Sequence, residues 1–126
     1  MNPLYDKITD SELLIMQVLW EKGENLSLTE LRKAVQERSG WEPSTIKTMV
    51  QRLCNKGVLS QEKRGVFFYA PNISEEEYTA AATENLIHRI YRGSARSLVA
   101  ALVEKNDLTQ TDVEELLELF HVEGRA

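Results

Sequence analysis

The sequence is short of cysteine, of histidine and of long apolar runs, and each shortage excludes a class of protein. Cys54 is the only cysteine among 126 residues, so neither an intrachain disulfide nor a cysteine-built metal cage can form. His88 and His121 have no companions at ligand spacing, which leaves no metal site and no cofactor to expect. No apolar run approaches the ~20 residues that a spanning helix needs. The opening MNPLYDKITD also lacks the basic and apolar regions of a signal peptide, so the expected location is the cytoplasm, without membrane insertion. No nucleophile, base and orienting group stand together. Glu75, Glu76 and Glu77 read as charge that favours a helix N-terminus, not as a catalytic carboxylate cluster, and an enzyme is not expected. Internal repeats and low-complexity segments are missing too.

Charge is unevenly spread along the chain. The whole chain carries a formal net charge of -5, yet nothing from Pro43 to Gln61 is acidic. Residues 41–70 hold Lys47, Arg52, Lys56, Lys63 and Arg64 against Glu42 and Glu62, whereas the segments on either side are net acidic. Charge acts by region because salt screens it within roughly 10 Å. A cationic patch between acidic surfaces suits a site-specific nucleic-acid binder, since the flanks weaken non-specific attachment.

What is present is a series of helix starts and stops. Thr9 with Glu12 forms a capping box, followed by Leu14, Ile15, Val18 and Leu19 at helical spacing, and Lys22-Gly23 ends the element. Ser27 with Glu30 repeats the box, and Arg38-Ser39-Gly40 closes a second helix. Pro43 suits the first position of a third helix, which runs to Asn55. The period then changes to short β-prone runs, Val58 to Glu62 and Val66 to Ala70, around Lys63-Arg64-Gly65, which reads as a hairpin with a basic turn. Pro71-Asn72 marks a boundary. Ser74 with Glu77 opens a fourth helix that Gly93 breaks; a fifth covers about Ala95 to Glu104; Thr109 with Asp112 caps a sixth, and His121 to Ala126 reads as a frayed tail.

Two domains follow, residues 1–72 and 73–126. Three helices and a basic hairpin predict an N-terminal winged helix-turn-helix, mainly α with a small β wing. The third helix turns Ile46, Val50, Leu53 and Cys54, with Met49 at the margin, to the core, where the thiol serves as a small hydrophobe. Its other side carries Ser44, Thr45, Lys47, Thr48, Gln51, Arg52 and Asn55, groups that hydrogen-bond to base edges and phosphates. Lys63 and Arg64 in the turn are candidate phosphate contacts. Trp41 reads as a plug on the core rather than a base-stacking ring, and Trp20, Phe67, Phe68 and Tyr69 as core or strand residues. The last three helices are too small a unit to bury their apolar faces alone. A second copy related by a two-fold axis is the simplest cover, giving a dimerisation stripe of Tyr78, Leu86, Ile90, Leu98, Leu102, Val113, Leu116, Leu117 and Phe120.

The string from Trp41 to Gly57 (W-x-P-S-T-I-K-T-x-V-x-R-L-x-x-K-G) and the later Tyr91 to Thr109 (Y-R-G-x-x-R-S-L-V-x-x-L-V-E-K-x-D-L-T) together resemble the BlaI/MecI family of penicillinase and methicillin-resistance repressors. Both halves match in order, so the resemblance covers nearly the whole chain. It implies a dimeric winged-helix repressor whose N-terminal domains dock on half-sites and whose C-terminal helices interlock. Carried onto matching positions, its DNA-facing residues are Ser44, Thr45, Lys47, Thr48 and Arg52. Members that answer β-lactams are switched off, by the same resemblance, when a membrane sensor protease or its effector triggers cutting at an Asn-Phe bond in the fifth helix. The aligned pair here is Ala101-Leu102, a departure that leaves the inducer open. Copper-responsive relatives end in a cysteine-rich motif that a chain with Cys54 alone does not supply.

The expectation is therefore a homodimeric repressor on a pseudo-palindromic operator of double-stranded DNA, its third helices entering successive major grooves. The rival from another class is a winged-helix adaptor that binds a protein partner without DNA.

Overall fold

A computed structural model describes residues 2–122; the side chains at 117 and 119–122 fall outside the described set, as do residues 1 and 123–126. Of the expected tail, His121 to Ala126, residues 121 and 122 continue the last helix, while 123–126 and the side chains of Leu117, Phe120 and His121 lie outside the described residues.

Helices begin where a side chain can satisfy amide groups that have no partner within the helix. In α1 (Asp10–Lys22) Thr9 Oγ1 accepts from the Glu12 amide at 3.2 Å, and Glu12 Oε1 accepts from the Thr9 amide at 3.0 Å. The Ser27/Glu30 box starts α2 (Leu28–Ser39) in the same way. Pro43 sits in the first turn of α3 (Pro43–Asn55). The strands are β1 (Leu26–Ser27), β2 (Leu59–Arg64) and β3 (Val66–Pro71), in antiparallel order β1-β3-β2.

Pairing in the hairpin runs further than periodicity suggests. Lys63 pairs with Phe67 and Arg64 with Val66, which leaves Gly65 alone at the tip with φ +79°, a backbone region that glycine occupies without strain. Lys63 and Arg64 are consequently strand residues and not turn residues. The strand β1, pairing Leu26 with Tyr69, is too short to show an alternating pattern and was not expected.

The core lies among α1, α2, α3 and the sheet. Ile15, Met16, Val18, Leu31, Val35, Ile46, Val50, Leu53 and Val58 are 0% exposed, and Trp41 and Cys54 are half-buried against them. A three-helix unit with a hairpin after the third helix is a winged helix-turn-helix.

The C-terminal helices are α4 (Glu75–Tyr91), α5 (Ala95–Glu104) and α6 (Gln110–Val122). The chain divides into two compact units, Met1–Thr83 and Glu84–Ala126, so the start of α4 belongs with the winged unit. Tyr78 accounts for this. Its ring centroid lies 5.2 Å from that of Tyr5 and 5.6 Å from that of Trp20, and Ala81 one turn on is 2% exposed. Trp20 Nε1 donates to the Ile73 carbonyl at 3.0 Å, and Asn2 Nδ2 to Glu77 at 3.0 Å. Among the described residues no helix is long and apolar enough to cross a membrane.

Candidate nucleic-acid interface

The turn between α2 and α3 sets how α3 is presented. Gly40 adopts φ +71° and donates its amide to Gln36 at 2.8 Å. Ser39 Oγ donates to the Val35 carbonyl at 2.8 Å and accepts from the Trp41 amide at 3.1 Å, bracing the corner. Pro43 then starts the helix with φ already near its helical value.

The inner side of α3 is fixed by burial of Ile46, Met49, Val50 and Leu53. Its outer side follows from the 3.6-residue period: Ser44, Thr45, Lys47, Thr48, Gln51, Arg52 and Asn55 are all exposed. Thr48 Oγ1 donates to the Ser44 carbonyl at 2.9 Å, so that hydroxyl offers lone pairs outward and not its proton. Lys47 and Arg52 make no ion pair among the described residues. Two uncommitted cations, an amide pair and short hydroxyls on one acid-free face can hydrogen-bond to base edges and phosphate oxygens.

Both ends of α3 are held, and sequence reasoning missed how the C-terminal end is. Lys56, the residue after the helix, extends Nζ to Glu12 Oε1 at 2.6 Å. The Glu12 side chain is 2% exposed. Burial pushes its carboxyl up, but the Lys56 hydrogen bond, the Thr9 amide and the Lys56 charge outweigh that and hold it below its ordinary 4.5. Glu12 thus serves two purposes, closing the α1 cap and tying α1 to the end of α3. Asn72, read only as a boundary, is a second tie: its amide donates to Val58 and its Nδ2 to Gly57, each at 2.8 Å, while Oδ1 accepts from Ser60 Oγ at 2.8 Å.

In the wing, Lys63 and Arg64 are exposed but point to opposite sheet faces, because successive strand residues alternate. Lys63 Nζ stands 6.0 Å from the Phe67 ring centroid. Arg64 lies over Phe68 and engages Glu62 through two hydrogen bonds of 3.1 Å, a pairing that lowers the Glu62 carboxyl and raises the guanidinium. The two basic residues are therefore not equivalent. Phe67 is a strand residue but 43% exposed.

The expected dimer stripe falls on both units. Tyr78 packs within the winged unit, as described. Leu86, Leu98, Leu102 and Val113 are half-buried, and Ile90 and Leu116 are 56% and 42% exposed. Ala101 and Leu102, the aligned cleavage pair, lie half-buried within α5. Among the described residues no His, Cys, Asp and Glu group could hold a metal ion.

With this geometry in hand, comparison with known proteins is specific. The model of the penicillinase repressor family matches residues 8–121. The penicillinase repressor of Bacillus licheniformis is 36% identical over 115 residues, covering 90% of this chain and 89% of that protein. Methicillin resistance regulatory protein MecI of Staphylococcus aureus (strain N315) is 31% identical over 121 residues, covering 95% and 97%. The solution structure of the DNA binding domain of the repressor BlaI is similar at a TM-score of 0.54 and 42% identity, over 62% of this chain and 94% of that one. The Bacillus licheniformis BlaI monomeric form in complex with the blaP half-operator is similar at 0.50 and 43%, over 56% and 87%.

Proposed function

Because the chain belongs to the penicillinase repressor family, we propose that it is a transcriptional repressor that binds a pseudo-palindromic operator as a homodimer. One observation carries the reading: the exposed side of α3 bears Ser44, Thr45, Lys47, Thr48, Gln51 and Arg52 and no acid. The similarity to a BlaI form in complex with a half-operator supports duplex DNA as the ligand.

In this reading α3 enters the major groove. Gln51 and Arg52 present long donors to base edges and Lys47 to a base edge or a phosphate, while Ser44 and Thr45 present short hydroxyls to either, and Thr48, its proton given to Ser44, presents lone pairs to base-edge donors. Lys63 adds a phosphate contact from the wing, and Arg64 does so only by giving up Glu62. Residues 1–72, with the start of α4 packed against them, act as the DNA-binding domain, and the remainder of 73–126 as the dimerisation domain. The latter is supported by the apolar surface that Ile90, Val99, Val103 and Leu116 leave uncovered. Two α3 helices then meet half-sites about one helical turn apart, and occupancy blocks a promoter from within the cytoplasm. Repression of this kind requires no catalysis.

The test is a mobility shift on the DNA upstream of the chain's own gene. The expected result is a salt-sensitive complex of two chains per duplex that a scrambled duplex of equal length does not form. Arg52→Ala or Lys47→Ala should weaken it by about 1–3 kcal/mol where the side chain reads a base, or reduce the salt slope by about one where it meets only phosphate. Absence of any sequence-selective shift counts against the reading and in favour of a protein-binding adaptor.

A further inference from the structure

Between α3 and the wing lies an open groove of about 580 Å³ lined by Leu28, Lys47, Gln51, Asn55, Gln61 and Phe67. Its lining contains no carboxylate. Two other concavities of the winged unit differ in this respect: the one beside Trp20 includes Glu24, Glu75, Glu76 and Glu77, and the one beside Ala34 includes Glu24, Glu30 and Glu37; a third, lined by Ser27, Leu28, Thr29, Val66, Phe67 and Tyr69, is likewise free of carboxylates but holds no cation and no side-chain amide. This groove combines one cation and three side-chain amides with the Cys54 thiol and two aromatic rings, those of Phe67 and the buried Tyr69, so that Phe67 is its one exposed ring.

The ring is the part that the major-groove reading does not use. Phe67 is 43% exposed, although its neighbour Tyr69, two residues along the same sheet face, is 6% exposed. Alternation along the hairpin puts Gln61, Lys63, Phe67 and Tyr69 on one side of the sheet, and the Glu62–Arg64 pair on the other. The side that meets α3 is therefore free of acids, and the Lys63 ammonium flanks the ring at 6.0 Å. An apolar ring beside cations and amide donors matches a nucleic-acid backbone, in which an apolar sugar face alternates with an anionic phosphate. A peptide segment would find no carboxylate here to pair with its own cations.

We propose that this groove seats one sugar–phosphate strand of the duplex, with Phe67 packed on a deoxyribose and Lys47 and Lys63 on the adjoining phosphates. The assignment rests on the repressor reading and adds a contact that is blind to base sequence. It explains why an aromatic residue is kept exposed on a solvated strand: DNA covers it.

The test uses the full chain, with fluorescence anisotropy on the upstream duplex and on a scrambled duplex of equal length, each over a salt series. Phe67→Ala should weaken binding to both duplexes by a similar factor, about fivefold or more, with an unchanged salt slope, because an apolar contact releases no counterions. Phe67→Leu should recover part of the loss. Lys63→Ala should weaken both and lower the slope by about one. Wild-type affinity of Phe67→Ala for both duplexes overturns the proposal and leaves the groove to a protein segment. If Arg52→Ala still loses the upstream duplex in that case, the repressor reading stands without the groove. If no duplex binds the parent chain, both fall.

Discussion

In the winged unit Ile15, Met16, Leu31, Val50 and Leu53 are 0% exposed, whereas no described residue from Glu84 to Leu116 is buried, and Ile90 and Val99 there stay 56% and 46% exposed. The helices of the second unit are nonetheless well specified. Ser94 caps α5 through the Ser97 amide, and Thr109 and Asp112 exchange hydrogen bonds at the start of α6. Local signals can thus define helices whose apolar sides find too little cover within their own chain. Most helical stability comes from packing, so the first unit carries its own, and the proposed dimer is what would supply the second with the cover it lacks.

Damage to each unit separately should have different effects. Leu53→Ala, in the closed core, should lower unfolding stability by about 2–5 kcal/mol and reduce the fraction of chain able to bind DNA, as read by chemical denaturation and by stoichiometric titration with duplex. Replacing Ile90 together with Val103 by Glu should raise the dimer dissociation constant by about 100-fold, read by sedimentation. It should leave melting of the winged unit in place, because neither side chain belongs to its core. A monomer with a collapsed first unit would show that the two units are not independent in this sense.

A smaller effect sits where the first unit departs from a purely apolar core. Lys56→Met strands the Glu12 carboxylate and should cost about 1–3 kcal/mol. The pH dependence has a definite sign. Glu12 is held below 4.5 in the folded chain, so its contribution is complete above that value and is lost as pH falls through the lower folded value. Denaturation curves of the parent and Lys56→Met should therefore be well separated at pH 7 and converge in acid. A separation that persists unchanged into strong acid contradicts this assignment.

Much of this was legible in the chain itself, for a physical reason. Capping boxes, Pro43 and the closing glycines act within a few residues, so α1, α2 and α3 could be bounded from sequence, and the helical period put Ser44, Thr45, Lys47, Thr48, Gln51 and Arg52 on the outer side. What was not legible depends on distance along the chain. Tyr5, Trp20 and Tyr78 meet from three separate elements, and no local pattern announces that. Glu12 was recognised as a cap residue, and that role concealed its ion pair with Lys56, 44 positions away. Lys63 and Arg64 looked alike until strand register sent them to opposite faces and gave Arg64 to Glu62.

In the proposed dimer the acid-free side of α3 meets one duplex twice, through a symmetric pair. That double contact is tested most directly by measuring binding stoichiometry and cooperativity on an operator whose half-sites are moved apart by about half a helical turn, roughly five base pairs, against the natural spacing. Two chains should bind cooperatively at the natural spacing and lose that cooperativity in the spaced duplex, with each half-site still taking one chain weakly. Equal, cooperative binding to both duplexes would contradict the double contact.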